Sequence, residues 1–130
     1  MNSLIRRTPL RFFLKNNNWE QSHLMSDWNH NESFYVDWVL GASMMIDRKL
    51  FSSVGMFDEN FFLYCEDIDL CYRLKKLGYL IGYVHNAKMY HEHQKVSDKN
   101  FFSKNYFYHI KSMIYFLKKH KVYFNEKHKL

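Results

Sequence analysis

The chain reads as a small α/β fold in which a few short strands are flanked by helices. Three features predict it. Apolar, β-rich runs recur, "FYVDWVLGASMMI" at 34–46 and "YLIGYV" at 79–84, each interrupted by a glycine. Residues 66–77 and 105–120 instead space their apolar side chains three and four apart, the period of a helix buried on one side. The stretches between them are rich in Asn, Asp, Ser and His, which must supply the turns of a chain with four glycines and one proline.

In chain order, residues 1–35 show weak periodicity and are expected to be loop, with room for one short helix. The 34–46 run is expected to be a strand broken at Gly41, where a missing side chain allows close backbone approach. Asp47 can cap a short helix over "RKLFSSV", and Gly55 can end it. "GMFDENFFLY" reads as an aromatic-rich loop. A helix follows from Glu66 to Leu77, with acids in its first turn and Lys75 and Lys76 in its last, as the helix dipole favours. Leu70, Leu74 and Leu77 form its apolar stripe, Asp69 and Arg73 a flanking ion pair, and Gly78 a natural stop. Short strands are expected at 79–84 and 87–91. The last helix, 105–120, sets Ile110, Met113, Ile114 and Leu117 against its lysines, a core-packing pattern.

At 130 residues the chain holds one domain at most, large enough for a modest core. A hydrophobic fraction of 47% excludes a disordered chain, and 19% aromatic residues require a dense core, an exposed sticky face or surfaces that stack on rings. The net charge of +6 favours anionic partners such as nucleotide diphosphates, a membrane surface or nucleic acid. No nucleic-acid-binding signature is present, so nucleic acid is not expected. No run approaches the ~20 apolar residues of a membrane-spanning helix. Cys65 and Cys71 form no CxxC pair, and no secretory leader precedes them, so reduced thiols in a cytoplasmic protein are expected.

Within "FFLYCEDIDLCYRLKKLGY", Glu66, Asp67 and Asp69 crowd directly behind an aromatic run. Such crowding costs repulsion, which burial increases. A metal site, a general base or a plain helix start would each account for it. First-turn acids are common, but Asp67 precedes Leu70 and Cys71 by three and four residues and so shares their core-facing side.

The stretch from Val36 to His91 resembles the C-terminal half of family 2 inverting glycosyltransferases, particularly rhamnosyltransferase-like members. The resemblance rests on W-x-x-G-A at Trp38 to Ala42, G-x-F-D-E-x-F-F at Gly55 to Phe62, and E-D-x-D-L-x-x-R at Glu66 to Arg73. Gly78-Tyr79 and a strand-closing His91 complete it, and the match extends over about residues 36–97. Their order makes the resemblance specific.

The resemblance implies the C-terminal portion of a GT-A fold. It assigns Asp67 as the general base for the acceptor hydroxyl, with Glu66 and Asp69 in support. Trp38 becomes an aromatic wall of the acceptor site, with Asp37, Gly41 and Arg73 beside it. His91 becomes a ligand of a Mg²⁺ or Mn²⁺ ion at the donor diphosphate, and His93 competes for that role. The expected partners are a nucleotide-sugar donor and a saccharide or lipid-linked acceptor, which would put the chain in the cytoplasm or at the inner face of the membrane.

The family's N-terminal nucleotide-binding half, with its D-x-D metal motif, has no counterpart by this reading. The chain is therefore expected to form one partial domain. Residues 1–35 would be loop-rich, 36–97 would carry acceptor and base, and 98–130 the basic helix. Activity would then need a partner chain supplying the other half, and the uncovered surface predicts self-association. The alternative is a non-catalytic remnant or binding module on an anionic membrane or partner chain. His85, His91 and His93 fit no common zinc spacing.

Overall fold

The computed structural model describes residues 28–91 and 103–121. The expectations for 1–27, for His93 and for the last residues lie outside this range. Two strands, β1 (Phe34–Val36) and β2 (Ile81–Tyr83), pair antiparallel with Phe34 opposite Tyr83 and Val36 opposite Ile81. Three helices accompany them in the described residues: α1 (Arg48–Ser53), α2 (Glu66–Lys76) and α3 (Lys104–His120). The α/β class stands.

Each helix end follows from local chemistry. The Asp47 carboxylate accepts from the Leu50 amide at 2.9 Å, and Ser103 Oγ from the Tyr106 amide at 3.2 Å, as N-caps do. At the far end of α2, Gly78 takes φ +85°. Its amide donates to Lys75 O, and that of Tyr79 to Leu74 O, which consumes two carbonyls otherwise left unpaired. Gly55, with φ +84°, closes α1 in the same way.

The strands are shorter than expected. The 34–46 strand ends at Val36, where the chain leaves the ladder: Asp37 reaches out to Lys75, and residues 40–43 make a turn closed by Ser43 N–H donating to Leu40 O. The expected strand at 87–91 is absent. Ala87 donates back to Val84 O at 3.1 Å in a turn, and 87–91 find no ladder partner among the described residues. Trp28 packs edge-on against Tyr83, and Ser33 Oγ bonds His85 Nδ1 at 3.1 Å, bracing the short sheet from both sides.

The core lies between α2 and α3, closed by the aromatic loop before α2. Phe61, Cys65, Leu70, Cys71, Leu74 and Met113 are buried. Phe61 meets the Tyr115 ring at 4.9 Å, and Tyr72 meets Phe116 at 5.7 Å, both near-perpendicular, a favoured aromatic geometry. Leu77 departs from the expected stripe: it is the C-cap of α2 and is exposed. Ile114 is also exposed, whereas Ile110 packs on the core as expected.

Candidate active site

The approach to α2 is strained. Tyr64 and Cys65 both adopt left-handed backbone, φ 63° and 72°, a conformation that costs a non-glycine residue about 1–2 kcal/mol. Cys65 caps the helix without any side-chain cap bond. This double turn swings the chain round so that Glu66 to Asp69 start the helix directly behind the aromatic loop.

Asp67 faces the 40–43 turn. Its Oδ2 accepts from the Gly41 amide at 2.9 Å and its Oδ1 from the Ile68 amide at 2.8 Å. A β-carbon at Gly41 would lie 3.4 Å from Asp67 Cβ and 3.5 Å from Oδ2, so glycine leaves that flank of the carboxylate open. The Cys71 thiol, pushed up by burial, takes part in a hydrogen bond with the Val39 backbone, which ties the same stretch to α2 a turn further on. Trp38, half-buried, therefore sits in a segment that α2 holds at Asp37, Val39 and Gly41.

Glu66 is half-buried, and its Oε2 is fully enclosed without a hydrogen-bond partner. Burial pushes its carboxyl above the ordinary range; a bond from its own amide opposes this, and the adjacent Asp67 charge adds to it. Glu66 and Asp67, neighbours in sequence, thus occupy different environments.

Asp69 is not the flanking residue the sequence suggests. It is completely buried, and three side chains converge on it: Arg73 Nε at 2.8 Å, Lys119 Nζ at 2.8 Å and His120 Nε2 at 2.7 Å. Burial alone would raise its carboxyl, but the bonds from Lys119, His120 and Arg73 outweigh that and hold it low. Lys119 also bonds Asp58 at 2.7 Å, which in turn accepts from Tyr115 OH at 2.9 Å. Those bonds hold Asp58 well below the usual carboxylate range despite its burial.

Arg73 spends its guanidinium inside the protein, on Asp69 and on the Val54 and Met56 carbonyls. Asp37 is exposed and paired with Lys75. His91 is exposed at the edge of the described residues. The structure thus joins Gly41 to Asp67, with Trp38 and Glu66 close by in the chain, and turns Asp69 and Arg73 inward. Among the described residues, no three His, Cys, Asp or Glu side chains group to hold a metal ion.

Tyr115, Lys119 and His120 are the residues that sequence reading missed, and Asp58 lay in a quoted motif without a role. One signal was available: Lys119 and His120 lie seven residues, two helical turns, past Ser112 and Met113 and share their buried face.

Among known proteins, the chain is 38% identical over 100 residues to rhamnosyltransferase WbbL of Escherichia coli, covering 72% of this chain and 37% of the relative. It is 45% identical over 56 residues to an N-acetylglucosaminyl-diphospho-decaprenol L-rhamnosyltransferase of Mycobacterium tuberculosis, covering 43% of this chain and 18% of that one. A low-salt glycan biosynthesis hexosyltransferase of Haloferax volcanii is 40% identical over 47 residues, 36% and 15% of the two chains. The chain therefore spans well under half the length of these relatives. No solved structure matches it. The model of glycosyl transferase family group 2 matches residues 6–122, and the chain belongs to that family.

Proposed function

We propose that this chain carries the acceptor-side part of an inverting glycosyltransferase, with Asp67 as the general base. The donor is a nucleotide-diphosphate sugar and the acceptor a saccharide or lipid-linked saccharide. In the reaction the acceptor oxygen attacks the anomeric carbon, its proton passes to Asp67, and the bond to the diphosphate breaks with the electron pair leaving on the diphosphate. Trp38 offers a ring face to the apolar side of the acceptor sugar. Glu66 stands beside the base, and Asp69 fixes the helix that carries both.

The observation that supports this reading is the 2.9 Å bond from Gly41 N–H to Asp67 Oδ2. It joins two motif stretches 26 residues apart in sequence. With one amide on each oxygen, the carboxylate is oriented yet keeps a free lone pair on each for an incoming hydroxyl.

Family 2 transferases generally use a divalent metal, which offsets charge on the leaving diphosphate when bound. The described residues do not themselves form such a centre. His91 is proposed to contribute one ligand to it, and no step above runs through the metal. The partial-domain division at 36–97 and 98–130, and dependence on a nucleotide-binding half from another segment or chain, belong to the same proposal. A lipid-linked acceptor would place the chain at the inner face of a membrane; no described helix is long and apolar enough to cross one.

The test is a chimera in which residues 6–122 replace the matched segment of the Escherichia coli relative. Sugar transfer with inverted anomeric configuration, read by NMR of the product, is expected. Transfer with retained configuration, or a folded chimera that binds donor but transfers nothing, contradicts the reading.

A further inference from the structure

Helix α3 has a second face that the core does not use. Its buried side carries His109, Ser112 and Met113, and its outward side carries Lys104, Phe107, Tyr108, Lys111, Ile114 and Lys118. These six recur at three- and four-residue steps, so they form one continuous stripe. Lys104, Lys111 and Lys118 fall seven apart, a spacing of about 10.5 Å along the helix. Phe107 and Ile114 stand between them, 60% and 46% exposed. Tyr108 extends the apolar part sideways by packing on Phe62, which is 73% exposed, with ring centroids 4.5 Å apart. No acidic residue occurs in the helix.

We infer that this stripe is a docking surface for an anionic lipid bilayer. The lysines match a negative headgroup plane, where each basic side chain near the surface contributes roughly a fivefold gain in binding. Phe107, Ile114 and Phe62 then reach past the headgroups toward the acyl boundary, as the apolar face of an interfacial helix does. A polyanion such as RNA would use the lysines and leave the isoleucine and phenylalanines in water. A straight row of charges with apolar side chains between them suits a flat, fluid surface that needs no matching pocket. The inference extends the transferase reading by fixing which face meets the membrane of a lipid-linked acceptor. It is tested without donor or acceptor, so its failure would leave that reading intact.

The experiment is co-sedimentation of the full chain with phosphatidylcholine vesicles, with and without phosphatidylglycerol. Binding is expected only when phosphatidylglycerol is present, and it should fall as salt shortens the screening length to about 3 Å near 1 M. Lys111→Gln with Lys118→Gln should weaken it about 25-fold, from two fivefold steps. Phe107→Ser with Ile114→Ser should weaken it as well, with melting temperatures close to the parent because all four side chains face outward. Equal binding to both vesicle types, no change in either double variant, or tighter binding to polyuridylate RNA than to anionic vesicles would each overturn the inference.

Discussion

Asp67 and Glu66 are adjacent carboxylates with different surroundings, and the difference comes from what each side chain meets. Asp67 turns toward two backbone amides. Glu66 has one oxygen enclosed without a partner, so its charged form is disfavoured. Because the fold raises this carboxyl, Glu66 favours the folded state most when protonated. That contribution is present below the unfolded glutamate value of ~4.3 and declines as pH rises from there through the raised folded value. Glu66→Gln does not titrate and removes the decline. Urea midpoints of parent and variant should therefore diverge as pH rises from 4 toward 7, with the variant gaining; parallel curves would mean that Glu66 is solvated. The sequence already exposed the repulsion within this cluster. Which carboxylate bears the burial cost depended on the double left-handed turn at Tyr64 and Cys65, and no residue there announces it.

At the scale of elements, the bond network on Asp69 fastens α3 to the first turn of α2. A buried ion pair is weak evidence of net stabilisation, because desolvation offsets attraction; removing one partner, however, strands the other charges. Asp69→Asn leaves Arg73 without its carboxylate and Lys119 with Asp58 alone, and should cost about 3–5 kcal/mol, read from denaturant midpoints. The sequence alone suggests a surface i,i+4 pair worth roughly 0.3–0.5 kcal/mol. The measurement separates the two values easily. The pH dependence has the opposite sign to that of Glu66. Asp69 and Asp58 are held low, so their contribution is present above ~3.9 and is lost as pH falls through their folded values. The acid limb of the stability curve should be shallower in Asp69→Asn. Helices, caps and stops were legible here because they depend on nearby residues: Asp47, Gly55 and Gly78 act as read. The partners of Asp69 on α3 lie 50 and 51 positions away, and no local pattern spans that distance. The strands were overestimated because an apolar run states burial without stating pairing, and residues 37–46 leave the ladder to meet α2.

For the whole molecule, the described elements share a core of two helices and an aromatic loop, and their outer faces remain apolar in places. Leu40, Met45, Leu80 and Tyr90 are exposed, as a chain spanning 37% of its Escherichia coli relative would leave them if other segments cover them there. The family was legible from motif order. The site was legible in part: the Trp38 to Ala42 stretch and Asp67 meet, whereas Arg73 is occupied by internal bonds that its motif position does not reveal.

Asp67 is proposed to take the acceptor proton, and one substitution tests that role. Asp67→Asn keeps the shape and an oxygen for the Gly41 amide but removes the proton acceptor. In the 6–122 chimera, single-turnover transfer by this variant should fall ~10²–10⁴-fold, with donor affinity and melting temperature close to the parent. Near-normal transfer by a folded Asp67→Asn chimera would contradict the account and reduce the acid cluster to a helix start.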